Sequence, residues 1–76
     1  MEKIEVDGEV IRLGQLLKLA GIVENGGEAK ARIQNGEVAV NGEIDTRRGR
    51  QLMEGDVVGL DGRLLTVHYT GKPMAE

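Results

Sequence analysis

At Asn35-Gly36 the spacing of apolar residues changes, and no other feature of this chain constrains its fold as strongly. Before that point Leu13, Leu16, Leu17 and Ala20 recur at i, i+3, i+4 and i+7, and Ala29 and Ile33 at i and i+4. That is the stripe of a helix face. After it, Val38-Ala39-Val40 alternates with the period of two expected of a strand buried on one side. Two short helices followed by strands predict an α+β domain, with the helices packed on a small, mostly antiparallel sheet.

Turn chemistry supplies the boundaries. Lys3 to Val6 reads as a short edge strand in which Ile4 and Val6 alternate with charged neighbours, closed by Asp7-Gly8. Gly21 is placed to end the first helix. Asn25 and Glu28 have the spacing of a capping box at the start of the second, and Asn35-Gly36 ends it. Asn41-Gly42 predicts a two-residue hairpin between Val38–Val40 and Glu43-Ile44, because both central residues of that turn need positive φ. Val57 to Leu60, Asp61-Gly62 and Arg63 to Tyr69 predict a second hairpin. Thr70 to Glu76 reads as a frayed end. The expected organisation is one domain over residues 1–70 and a flexible tail over 71–76.

With 76 residues and 39% apolar content, the chain sits near the lower size limit for a self-sufficient core. Tyr69 is its only aromatic, so the core must be aliphatic and no aromatic-lined small-molecule pocket is expected. The chain has no cysteine, which removes disulfides, zinc–thiolate sites and thiol nucleophiles, and agrees with a cytoplasmic location. No apolar run approaches the roughly 20 residues of a membrane span, and the first residues lack a signal-peptide pattern.

A net charge of −3 argues against a polyanionic partner, but the charge is uneven. Gly26 to Arg50 holds five basic residues (Lys30, Arg32, Arg47, Arg48, Arg50) against four acidic ones, while the rest holds five against nine. Three arginines within four residues suit phosphate geometry. Lys30 and Arg32 lie on different shoulders of the second helix, and Lys18 reads as a plain surface residue. His68 has no serine or cysteine to activate, so no catalytic site is expected. Tyr69 reads as a packing residue. Glu43 and Asp45 share a strand face with no pocket beside them. Neither a metal-ligand cluster nor a P-loop is present, so no cofactor is expected.

The segment Arg12-Leu13-(x15)-Ala29-(x3)-Ile33-(x2)-Gly36-x-Val38-x-Val40-Asn41-Gly42, with the later Leu52-x-x-Gly55-Asp56-x-Val58, resembles the alpha-L RNA-binding motif. That domain takes its name from the fourth protein of the small ribosomal subunit. It recurs in bacterial tyrosyl-tRNA synthetases, pseudouridine synthases, a heat-shock ribosome-recycling protein and small stand-alone proteins. The match covers about residues 12–58 and is most similar to the small stand-alone bacterial members.

The resemblance implies a non-catalytic module that binds structured RNA, ribosomal or tRNA-like, through phosphate contacts, with neither a membrane nor a small-molecule substrate involved. The implied RNA-binding residues are Asn25, Gly26 and Gly27 at the second helix start, with Lys30, Arg32, Arg47, Arg48 and Arg50. A helix N-terminus favours phosphate through its free N–H groups and dipole, and the shortage of aromatics argues against single-strand stacking. Two departures stand out: Gly14 where the family often has Asp, and Asn25-Gly26 where it often has Ser-Arg. A protein-interaction adaptor is the competing class. A β-grasp sulfur carrier is a further alternative, but the chain ends without the Gly-Gly that such chemistry needs.

Overall fold

The computed structural model describes residues 1–71. Its elements run β1 (Glu2–Val6), α1 (Leu13–Leu19), α2 (Gly26–Gln34), β2 (Ala39–Val40), β3 (Glu43–Ile44), β4 (Val57–Leu60) and β5 (Arg63–Tyr69). The five strands form one sheet in the order β1-β5-β4-β2-β3. The pairings β5–β4, β4–β2 and β2–β3 are antiparallel, and only β1 on β5 is parallel. The expected α+β class with a mostly antiparallel sheet therefore holds.

One aliphatic core joins the layers. Leu13, Leu16 and Leu17 of α1 and Ala29 and Ile33 of α2 are fully buried. They meet Val38, Val40, Val58, Leu60, Leu65 and Val67 from the inner face of the sheet, with Leu52 between. Ala20, expected in the same core, lies at its edge and is only partly buried. The Asn41-Gly42 turn has the expected positive φ, 54° and 88°, and the turn at Asp61 and Gly62, where the sequence predicts a hairpin, has the same conformation with 55° and 76°. Gly36 at the helix stop also has positive φ, 77°.

Two local expectations need correction. Asn25 does cap α2, its Oδ1 accepting from the Glu28 N–H at 2.8 Å, but the Glu28 carboxylate accepts from the Glu24 N–H at 2.9 Å and leaves the reciprocal bond unmade. Thr70 is not frayed. Its N–H donates to the Val6 carbonyl at 2.9 Å and its hydroxyl to the same oxygen at 3.3 Å, extending the β1–β5 ladder by one residue. The expected tail over 71–76 falls, from residue 72 onward, outside the described residues.

Tyr69 is a packing residue, as expected: it is partly buried against the core. Its hydroxyl donates to the Leu52 carbonyl at 2.6 Å and accepts from the Ile11 N–H at 3.1 Å, tying the sheet to the linker before α1 and to the segment between β3 and β4.

Candidate nucleic-acid interface

The segment between β3 and β4 lies over the start of α1. A helix leaves its first amides without partners inside the helix, and here loop carbonyls supply two of them. The Leu13 N–H donates to the Arg50 carbonyl at 2.9 Å and the Gly14 N–H to the Arg48 carbonyl at 3.0 Å. Gly14 makes the approach possible: a Cβ there would stand 2.7 Å from Arg48 Cγ, closer than real side chains come. The glycine that departs from the family pattern is thus the seat of the arginine loop.

The three loop arginines are not equivalent. Asp45 is buried and accepts from the Arg47 N–H (2.9 Å), Arg47 Nε (3.1 Å), Arg47 Nη2 (2.9 Å) and Arg50 Nη1 (2.8 Å). These bonds, those of the Arg47 side chain above all and then that of Arg50, hold the Asp45 carboxyl far below the usual carboxylate range despite its burial. Arg47 and Arg50 therefore fold the loop around a buried anion. The Arg47 side chain keeps 70% of its surface exposed and Arg50 29%, so the donors that Arg47 leaves unused face solvent more than those of Arg50. Arg48 has no ion pair among the described residues. It lines an open recess of about 340 Å³ with Arg12, Lys18 and Gln15 of the α1 region, Gly49, and Gly26 and Ala29 of α2.

The recess is the meeting point of both helices and the loop. Three cations line it and no carboxylate does. Gly26, the first residue of α2, stands on its wall, and neither the Gly26 nor the Gly27 N–H has a partner among the described residues. Lys30 is exposed, one turn beyond Gly26 on the same side of α2. Asn25 uses its side chain on the cap. Arg32 points elsewhere: Nε bonds Glu37 at 2.7 Å and Nη2 bonds Asp61 at 2.6 Å, tying α2 to the β4–β5 turn.

Of the residues singled out from sequence, the structure gathers Gly26 and Arg48 in the recess, with Gly27 and Lys30 beside it. It assigns Arg47 and Arg50 to the loop frame and places Arg32 away from it. Sequence reasoning missed Arg12 and passed over Lys18 as surface. A signal existed in Gly14, since a glycine in the first turn of a helix implies something packed closely there, and Lys18 lies four residues on along the same face. It also missed Asp45, whose burial needs the tertiary fold. No helix among the described residues is long and apolar enough to cross a membrane. No cluster of metal-ligating side chains occurs among them either.

Two short helices on a sheet, with a cationic recess running along α1 to the start of α2, define a small alpha-L-type domain. The chain belongs to the S4 domain family, whose profile matches residues 4–68. It is 52% identical over 59 residues to a Bacillus subtilis protein named as the probable ribosome maturation protein RlbA, across 78% of this chain and 83% of that one. It is 37% identical over 57 residues to the putative RNA-binding protein YbcJ of Escherichia coli, across 75% of this chain and 81% of the relative. The solution structure of YbcJ, described as revealing an alfaL motif involved in RNA-binding, superposes with a TM-score of 0.66 at 33% identity, covering 90% of this chain and 87% of YbcJ.

Proposed function

We propose that this chain is a non-catalytic, cytoplasmic RNA-binding module that takes structured RNA by its phosphate backbone in the recess between α1, α2 and the 45–50 loop. One observation carries the reading: Arg12, Lys18 and Arg48 converge there with no acidic residue in the lining, in a chain whose net charge is −3. A local cationic surface on an acidic protein attracts phosphate at short range while the rest of the molecule repels it. That confines the contact to one face.

Arg48 and Arg12 offer planar forks that can bind a phosphate through two bonds, and Lys18 adds a point charge. The unpartnered Gly26 and Gly27 amides at the positive end of α2 add neutral donors. Lys30 lies beside the recess and would meet a neighbouring phosphate, and Arg47, next to Arg48 in the loop and largely exposed, would meet another. Arg32 has no part in it. The lining offers no aromatic face for stacking bases, which favours recognition of folded RNA by shape and backbone. Ribosomal RNA is the favoured class, supported by a relative named for ribosome maturation.

A salt titration tests the reading. Each phosphate contact contributes about 0.7–0.9 to the slope of log affinity against log salt. The Arg12→Ala/Lys18→Ala/Arg48→Ala variant should lose about 2 from that slope on a ribosomal RNA fragment, to a similar extent across RNA sequences. Circular dichroism should show an intact fold. A folded variant with unchanged affinity and slope would overturn the proposal.

A further inference from the structure

A second groove lies on the other side of α1. It encloses about 480 Å³ between the end of β1, the linker that follows it and the α1 side carrying Leu19. Its character is opposite to that of the basic recess. Glu5, Asp7 and Glu9 line it with the apolar side chains of Val10 and Leu19, and no cation does. Val10 is 51% exposed and Leu19 55%, although the inward-facing leucines of α1 are fully buried. None of the three carboxylates has a cation partner among the described residues, whereas Glu2, Glu37, Asp45 and Asp61 all do. Gln15 borders both depressions, so α1 is a thin partition with a cationic recess on one side and an anionic, apolar groove on the other.

We infer that this groove docks a lysine- or arginine-bearing amphipathic segment of a protein partner. Val10 and Leu19, half exposed beside a concave surface, are available to cover a partner's apolar side chains, and the charge at the edge selects what docks. Three unpaired carboxylates repel RNA, so the groove is not an extension of the phosphate-binding surface. They attract a cationic chain whose apolar residues can cover Val10 and Leu19. β1 is also an edge strand, paired only with β5 among the described residues. Its outer edge offers backbone hydrogen bonds to a segment lying along Glu5 and Val6. The domain would then hold RNA on one side of α1 and a basic segment on the other, as befits a partner that itself approaches RNA.

The isotope-labelled 76-residue chain titrated with a synthetic amphipathic peptide of leucine and lysine provides the test, with a leucine–glutamate peptide as control. The lysine peptide should shift amide resonances at residues 5–11 and 19, which border the groove and not the recess. The Glu5→Lys/Asp7→Lys/Glu9→Lys variant should bind it at least tenfold more weakly, while the Arg12→Ala/Lys18→Ala/Arg48→Ala variant keeps full affinity. Because the two variants alter opposite sides of α1, loss of the groove and loss of the RNA-binding reading are separable. Four results would overturn the inference: equal binding of both peptides, shifts elsewhere on the surface, RNA moving the groove resonances, or self-association that Val10→Ser/Leu19→Ser abolishes.

Discussion

A buried carboxylate attracts whatever cations the chain can bring to it, and in the 45–50 loop that carboxylate is Asp45. Its four hydrogen bonds commit Arg47 and Arg50 to loop structure and leave Arg48 unpaired. Three arginines that look alike in sequence thus divide by their neighbours. Because the folded state holds the Asp45 carboxyl below its ordinary value near 3.8, it binds fewer protons there than the unfolded chain does. The stabilisation is therefore fully present above about pH 4 and fades as acid protonates the group. Asp45→Asn should lower the melting temperature at neutral pH. Its deficit relative to wild type should shrink as pH falls below about 4. A deficit that stays constant across that range would show that the charge of Asp45 contributes nothing.

At the scale of elements, α1 and the loop form one unit because the loop carbonyls cap the helix. Gly14 sits at the contact, and its replacement separates stability from binding. Alanine favours a helix over glycine by about 1 kcal/mol, which opposes the cost of displacing the Arg48 stem from its position 2.7 Å from the new Cβ. Gly14→Ala should therefore change the melting temperature little and weaken RNA binding severalfold, since Arg48 leaves its seat. Paired thermal melts and RNA titrations check it. Unaltered RNA affinity would mean that Arg48 can reach phosphate from elsewhere.

The whole molecule is held by a core without aromatic rings, in which each leucine carries a large share of the stability. Leu17 is fully buried between the layers. Leu17→Ala should cost about 2–5 kcal/mol in chemical denaturation, out of the roughly 5–15 kcal/mol available to a small domain. An unchanged transition midpoint would contradict the shared core. The parallel β1–β5 pair closes the fold by joining the two ends of the described chain, and Tyr69 anchors that closure to Ile11 before α1 and to Leu52 between β3 and β4.

What the sequence determined by itself is local. The change of apolar period at Asn35-Gly36 gave the order of helices and strands, because side-chain periodicity follows from backbone geometry alone. Asn41-Gly42 and Asp61-Gly62 gave the hairpins, because few residues tolerate the backbone such turns require. The middle of the chain was recognisably the cationic part. Which cations share one surface was decided only by tertiary structure. Arg12, Lys18 and Arg48 come together across some 36 positions of sequence because loop carbonyls cap α1 over Gly14. Arg32, close to Lys30 in sequence, is drawn away by Glu37 and Asp61. Charge acts through distance in space, and for residues far apart in the chain that distance exists only once the core has formed.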